Sequence, residues 1–140
     1  MNKKIKWGIA GLGNIAKKFA SDLNLVPEAQ LVAVASSDIR RAESFKNDFN
    51  AHRCYGSYED LFNDPEVLVV YVAGLNNHHK TVALAAFAKG KAVLCEKPLG
   101  LNSREIKQMI AAAKNNQCFL MEALWSRFNP AIQKAKQWAD

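Results

Sequence analysis

The sequence predicts an α/β domain built on a doubly wound parallel sheet, and three observations lead to this fold class. Short apolar runs alternate with amphipathic segments along the 140 residues, a pattern typical of right-handed β-α-β units. The runs 31–35 and 67–73 are almost entirely apolar, as are strands covered on both faces. A turn with the pattern Gly-x-Gly-x-x-Ala, residues 11–16, joins the first run to the first helical segment. Together these features indicate a single domain of the Rossmann type.

Composition and charge argue against several classes of protein. A hydrophobic fraction of 49% is ordinary for a folded domain. The formal net charge is +6, but the basic residues are spread along the chain among acidic ones, so we expect no nucleic-acid partner. No apolar run approaches the roughly 20 residues that cross a bilayer, and the first residues lack a cleavable signal pattern. We therefore expect no membrane association and a cytoplasmic location.

The cysteines argue against a disulfide framework and against a metal centre. Cys54, Cys95 and Cys118 form an odd set without close spacing. Cys95 and Cys118 both lie in strand-like runs, so we expect buried thiols that pack as small hydrophobic groups. No metal site is predicted.

The first half of the chain supplies three strands, each followed by a helix. The glycine turn leads into a helix whose apolar residues share one face as far as about Asn24. The second strand is 31–35, and apolar residues at helical spacing over 42–49 predict the second helix. A short strand at 53–55 precedes a brief helix that Ser57 is expected to cap.

The second half continues the same alternation. The run 67–73 is the strongest strand, and the alanine-rich helix after it ends at Lys89–Gly90, where glycine is typical. The next strand is 92–95. The last predicted elements are a helix from Asn102 or Ser103, a strand at 118–121 and a helix that opens at Asn129–Pro130.

The glycine turn has the chemistry of a dinucleotide-binding site. Gly11 permits the tight turn, Gly13 lets the backbone approach a pyrophosphate, and Ala16 lets the helix pack closely on the strand. Asn14 and Ile15 complete the turn at the helix start, where free N–H groups and the helix dipole attract phosphate. The alternative is an ordinary strand–turn–helix that happens to be rich in glycine.

The end of the second strand favours NADP over NAD. An NAD site usually places an acidic residue there against the ribose 2′-hydroxyl, but this chain has Ser36 and Ser37, with Arg41 about a helical turn further on. Hydroxyls and an arginine would hold a 2′-phosphate. NAD stays open as the alternative, because a shift of two residues in the strand end would bring Asp38 to the ribose. Otherwise Asp38 caps the second helix.

The residues Glu96-Lys97-Pro98 follow a predicted strand at the edge where ligands bind in open α/β sheets. A lysine beside a nicotinamide can bond a substrate oxygen and exchange a proton while hydride moves to or from the cofactor. The second task requires a lowered pKa, which Glu96 would oppose if it lay close to the ammonium group. The alternative is a solvated Lys-Pro turn at the surface.

Four motifs, taken together, carry a resemblance to a known family. They are residues 11–16, 55–61, 90–99 and 121–131, and in this order they resemble the glucose–fructose oxidoreductase / inositol dehydrogenase / MocA family. The last motif is most similar to the dihydrodiol dehydrogenase and NADP-linked xylose dehydrogenase branch. The resemblance implies an NAD(P)-dependent oxidoreductase that acts on a hydroxyl or carbonyl of a sugar-like or cyclic diol substrate.

The resemblance also implies roles for the residues around the nicotinamide. Lys97 matches the catalytic lysine of the family, and Glu96 and Pro98 shape the same pocket. Asn76 and His79 match a motif that lines the cofactor site. The alternative for His79 is a histidine at a helix start whose ring is satisfied by backbone groups.

Further matches concern the other parts of the cofactor. Arg41 falls where this branch often holds the NADP phosphate, although Ser37 stands where an arginine is common. Trp125 and Arg127 match a segment that folds over the cofactor. Gly74-Leu75 departs from the usual Thr-Pro before the Asn76 motif, a change expected to weaken cofactor binding.

The resemblance assigns residues 1–125 to an NAD(P)-binding domain and 126–140 to the start of a connection to a second α+β domain. Without that second domain we expect the chain to be inactive. We also expect a homo-oligomer that forms through the second domain. Trp125, Phe128 and Trp138 either pack back on the first domain or form an exposed apolar patch. The alternative function is a non-catalytic NAD(P)-sensing module, against which the presence of Lys97 argues.

Overall fold

The predicted fold class is confirmed by a computed structural model that describes residues 4–139. Its strands form one sheet of six, in the order β3-β2-β1-β4-β5-β6, and every neighbouring pair runs parallel. The strands are β1 (Ile5–Ala10), β2 (Ala29–Ala35), β3 (Arg53–Tyr55), β4 (Val69–Val72), β5 (Ala92–Glu96) and β6 (Leu120–Ala123).

Helices connect the strands, as the alternation of the sequence predicts. They are α1 (Asn14–Leu23), α2 (Ile39–Phe49), α3 (Tyr58–Asn63), α4 (His79–Ala88), α5 (Ser103–Asn115) and α6 (Pro130–Ala139), with short 3₁₀ helices at Asn76–His78 and Trp125–Phe128. In the described range, none of these helices has the length and apolar character needed to span a membrane.

The helices cover the sheet unequally. Leu61 of α3, Phe87 of α4 and Met109 of α5 belong to the core on one face. Ala20 of α1 and Phe45 of α2 belong to the core on the other face. Helix α6 has no buried residue. The face that carries α1 and α2 is partly open beside α1, where Tyr71 of β4, Leu94 of β5 and Met121 of β6 line a cavity.

The aromatic residues near the end of the described chain are exposed. Trp125 is 71% exposed, Phe128 59% and Trp138 78%. Of the two outcomes left open by the sequence, the structure shows the exposed apolar surface. The division of the chain into residues 1–125 and 126–140 stays a prediction. Residues 1–3 and 140, which belong to these two ranges, lie outside the described residues.

A sixth strand is present as predicted, but it starts two residues later than predicted, and Cys118 is not the buried strand residue that we expected. Strand β6 begins at Leu120, because Cys118 N–H donates to the Ala113 carbonyl at 2.8 Å and closes the end of α5. Gln117, with a φ of 54°, makes the left-handed turn that this closure requires. Cys118 is thus half-buried outside the sheet. Cys95 is buried in β5 as predicted, and burial raises the pKa of its thiol to about 12.

A polar cluster fixes the end of α3. The Asp64 carboxylate is 2% exposed and accepts hydrogen bonds from Arg53 Nε at 2.8 Å and the Tyr55 hydroxyl at 3.0 Å. Burial raises the pKa of Asp64, but the Glu66 N–H, Arg53 and Tyr55 outweigh it, so this pKa lies below its ordinary value. Hydrogen bonds from Lys6 and Arg53 lower the pKa of Glu66 to about 2.

We expect Asp64→Asn to lower the free energy of unfolding at neutral pH by about 2 kcal/mol, because Arg53 and Tyr55, both partly buried, lose their charged acceptor. A carboxylate with a lowered pKa in the folded state stabilises the fold above its unfolded pKa, near 3.9, and that stability is lost as pH falls through the folded pKa. The variant should therefore lose less stability in acid than the wild type does. Urea unfolding at several pH values from neutral to acid tests both the loss of stability and its dependence on pH. Glu59→Gln is the control, because Glu59 is exposed.

Candidate functional site

The crevice at the carboxyl ends of β1 and β4 is the candidate ligand-binding site. These two strands are neighbours at the centre of the sheet, and α1 and α4 leave them on opposite faces. The connections therefore diverge at this point, and ligands of open α/β sheets bind in the crevice that results.

Gly11 brings the turns after β1 and β4 into contact. Its φ is +93°, and a Cβ at this position would lie 2.7 Å from the Gly74 nitrogen. Its N–H donates to the Ala35 carbonyl of β2 at 3.2 Å. The position requires glycine both for its conformation and for the space.

Gly13 leaves the start of α1 open. It is the N-cap residue. Among the residues that the structure describes, no side chain caps the helix there, and a Cβ on Gly13 would meet nothing within 4 Å. Asn14 and Ile15, the first residues of the helix, are exposed. The uncapped N–H groups and open space suit the phosphates of a dinucleotide, so this turn fits the cofactor that the sequence predicts.

The end of β2 carries two serines of unequal exposure, followed by Asp38. Ser36 is 6% exposed, and its hydroxyl oxygen accepts the Asp38 N–H at 3.2 Å. Ser37 is exposed. The Asp38 carboxylate caps α2 by accepting the Arg40 N–H at 3.0 Å. The structure thus places Asp38 in the capping role, and Ser37 offers the more accessible hydroxyl.

Arg41 lies against the glycine turn. Its Nη2 donates to the Leu12 carbonyl at 2.9 Å, although the two residues are 29 positions apart. Arg41, Asn14 and Lys17 line a small cavity of about 130 Å³ between α1 and α2, together with Asp48. Two basic side chains beside the turn suit an additional phosphate group.

The Glu96-Lys97-Pro98 segment lies at the same edge, where β5 ends. The Glu96 carboxylate is buried; Oε1 accepts the Tyr71 hydroxyl at 2.5 Å, and Oε2 accepts the Lys97 N–H at 3.1 Å. The Lys97 side chain is exposed, and within residues 4–139 it forms no ion pair. Glu96 is thus directed to Tyr71, and a contact of the Lys97 amine with a ligand stays a prediction.

His79 joins the loops after β4 and β5. It is fully buried; its Nδ1 lies 2.9 Å from the Pro98 carbonyl oxygen and its Nε2 lies 3.2 Å from that of Gly74. The ring is thus surrounded by backbone groups, as in the alternative prediction, and its protonated nitrogen donates to one of these two carbonyls. Asn76 is exposed in the adjacent 3₁₀ helix. Contact of either residue with a cofactor stays a prediction.

A larger cavity of about 510 Å³ opens beside α1, over the uncovered part of the sheet. Three residues predicted from the sequence line it: Ile15, Glu96 and Trp125. Arg127 is exposed nearby but does not line it. The sequence prediction missed Tyr71 and Phe19, which also line it. The one signal for Tyr71 is a hydroxyl within an otherwise apolar strand.

No group of three or more His, Cys, Asp and Glu side chains is arranged to hold a metal ion in the part of the chain that the structure describes.

Comparison with known proteins gives a consistent family match. The family described as "Oxidoreductase family, NAD-binding Rossmann fold" (GFO_IDH_MocA) matches residues 5–124. The trans-1,2-dihydrobenzene-1,2-diol dehydrogenase of Mus musculus is 47% identical over 135 residues, which cover 95% of this chain and 40% of that protein. The protein of the same name from Homo sapiens is 44% identical over 131 residues, covering 92% of this chain and 39% of that protein.

Solved structures agree with this match. An NAD binding oxidoreductase from Klebsiella pneumoniae superposes with a TM-score of 0.89 at 33% identity, over 97% of this chain and 38% of the other. KijD10, a 3-ketoreductase from Actinomadura kijaniata in complex with NADP and TDP-benzene, gives a TM-score of 0.94 at 27% identity, over 99% of this chain and 42% of the other. The chain thus spans about 40% of the length of the curated relatives it matches.

Proposed function

The chain belongs to the GFO_IDH_MocA family of NAD-binding oxidoreductases, and from this premise we propose that it binds NADP as the cofactor-binding part of a dehydrogenase. The proposed reaction moves hydride between NADP and a hydroxyl or carbonyl of a sugar-like or cyclic diol substrate. The observation that carries the proposal is the turn after β1. There, Gly11 packs against Gly74 and the start of α1 is left uncapped.

Each part of the cofactor has candidate residues in the crevice. Gly11, Gly13 and the N–H groups at Asn14 and Ile15 would hold the pyrophosphate. Ser36, Ser37 and Arg41 would hold the adenosine ribose and its 2′-phosphate. Around the nicotinamide we place Glu96, Lys97, Pro98, Asn76 and His79, with Trp125 and Arg127 as its cover.

Two observations support NADP over NAD. The carboxylate nearest the end of β2 belongs to Asp38, and it is engaged in capping α2. Arg41, by contrast, reaches the glycine turn, and Lys17 lies beside it in the same small cavity. A carboxylate at the ribose would repel a 2′-phosphate, whereas these cations attract it.

Lys97 is the proposed catalytic residue. When bound, the nicotinamide supplies the hydride acceptor or donor. The Lys97 amine, exposed at the end of β5, would bond the substrate oxygen and take its proton as an alcohol is oxidised, or return it as a carbonyl is reduced. The relatives named as dihydrodiol dehydrogenases support a cyclic diol as the substrate.

Calorimetric titration of the chain with NADPH and then with NADH tests the proposal. We expect the chain to bind both cofactors, and to bind NADPH more tightly than NADH. If a chain that circular dichroism shows to be folded binds neither, the cofactor-binding role is wrong. Equal affinity for both would contradict only the preference for NADP.

Arg41→Ala is expected to weaken NADPH binding about tenfold or more, because a charged hydrogen-bonding partner of the phosphate is lost. NADH binding should stay within about twofold, since NADH lacks the 2′-phosphate. The exposed neighbour Arg40 gives a matched control in Arg40→Ala. An unchanged ratio of NADPH to NADH affinity in Arg41→Ala would contradict the assignment.

A further inference from the structure

The turn that carries Lys97 is held at both ends by side chains from the strands on either side of β5. Before Lys97, the Glu96 carboxylate accepts the Tyr71 hydroxyl of β4 at 2.5 Å. After Lys97, the Leu99 N–H donates to Glu122 Oε1 of β6 at 2.9 Å. Neither contact involves the Lys97 side chain. The first holds the side chain of Glu96, and the second holds the backbone at Leu99.

Tyr71 is rigidly placed for this contact. Its side chain is 1% exposed, and its ring stacks on Phe19 of α1 with the ring centroids 3.8 Å apart. Burial raises the pKa of the Tyr71 hydroxyl, and the hydrogen bond to Glu96 raises it further, so the hydroxyl stays a donor. The second oxygen of Glu96 accepts the Lys97 N–H at 3.1 Å. A continuous series of contacts therefore runs from α1 to the backbone of Lys97.

Glu122 is placed by the register of the last two strands. It lies opposite Cys95 in the parallel pairing of β5 with β6, next to the point where β5 ends. Leu99 lies beyond that end, outside the sheet ladder, and the Glu122 carboxylate supplies the acceptor for its N–H. The side chain of Glu122 is half-buried, so its substitution removes little packing.

We propose that Tyr71 and Glu122 are positioning residues that fix the Glu96–Leu99 turn, and through it the direction of the Lys97 amine toward the nicotinamide. This inference rests on the proposed function, because it requires a nicotinamide cofactor in the crevice. Tyr71 contacts the residue before Lys97 and Glu122 the second residue after it. Loss of either contact loosens one end of the turn, although His79 Nδ1 still lies 2.9 Å from the Pro98 carbonyl oxygen, and it leaves the glycine turn after β1 intact.

The test compares NADPH with 2′-phospho-ADP-ribose, which has the same adenosine and pyrophosphate groups but lacks the nicotinamide. Tyr71→Phe keeps the ring and removes only the hydroxyl. It is expected to weaken NADPH binding about fivefold while 2′-phospho-ADP-ribose binding stays within about twofold. Glu122→Ala should behave in the same way. Glu122→Gln, whose amide oxygen can still accept the Leu99 N–H, should restore NADPH binding to within about twofold.

Tyr55→Phe is the matched control, because it also removes a hydroxyl bonded to a carboxylate, that of Asp64, outside the crevice. Its ratio of NADPH to 2′-phospho-ADP-ribose affinity should not change. The inference would be overturned if Tyr71→Phe and Glu122→Ala weakened the binding of both ligands equally, or weakened the binding of neither. The cofactor-binding proposal would stand in either case. A wild-type chain that binds neither ligand would overturn both. If Tyr71→Phe does not fold, the comparison of Glu122→Ala with Glu122→Gln tests the inference by itself.

Discussion

Lys97→Ala is expected to lower the rate of hydride transfer by about a hundredfold or more, because the substrate oxygen loses its proton-exchanging partner. NADPH affinity should fall about fivefold at most, as in Tyr71→Phe, since the phosphates are assigned to the glycine turn and Arg41. The Lys97 side chain is exposed and bonds no other residue in the described range 4–139, so its removal should not disturb the fold.

The assay joins this chain to the remaining part of the Mus musculus relative, of which it covers 40%. Reduction of NADP by a trans-dihydrodiol is followed by absorbance, and NADPH affinity is measured on the same samples. Lys89→Ala, an exposed lysine just after α4, serves as the control. Equal turnover with and without Lys97 would contradict the catalytic role. A wild-type hybrid that binds NADPH but transfers no hydride would favour the sensing module instead.

The parts of the site that follow from local chemistry could be predicted from the sequence. The glycine turn is one example, because backbone conformation and the start of a helix depend on adjacent residues. The Ser57 cap of α3 is another, since its hydroxyl accepts the Asp60 N–H only three residues further on. The parallel direction of the strands could also be predicted, because strands that alternate with helices form right-handed β-α-β units.

Contacts between distant residues could not be predicted in the same way. Tyr71 meets Glu96 across 25 positions, and Arg41 meets the Leu12 carbonyl across 29. Each pairing depends on strand register and on the side-chain direction, which composition and periodicity do not specify. For His79, the sequence left backbone contacts as one of two alternatives, because the two carbonyls that face its ring come from separate loops.

Gly11→Ala is expected to destabilise the fold by an amount on the order of 3 kcal/mol, and NADPH binding should be lost with it. The added Cβ would lie 2.7 Å from the Gly74 nitrogen, and the φ of +93° disfavours any side chain. Both turns that form the crevice would have to move apart. Urea unfolding gives the stability change, and calorimetry gives the affinity.

Gly13→Ala separates stability from binding. A Cβ on Gly13 meets nothing within 4 Å, and the φ of −83° is ordinary for alanine, so stability should change by less than about 1 kcal/mol. NADPH binding should nevertheless weaken about tenfold or more, because the methyl group occupies the space assigned to the pyrophosphate. If Gly13→Ala binds NADPH as the wild type does, the phosphates lie elsewhere, and Gly11 is required by the packing of the two turns alone.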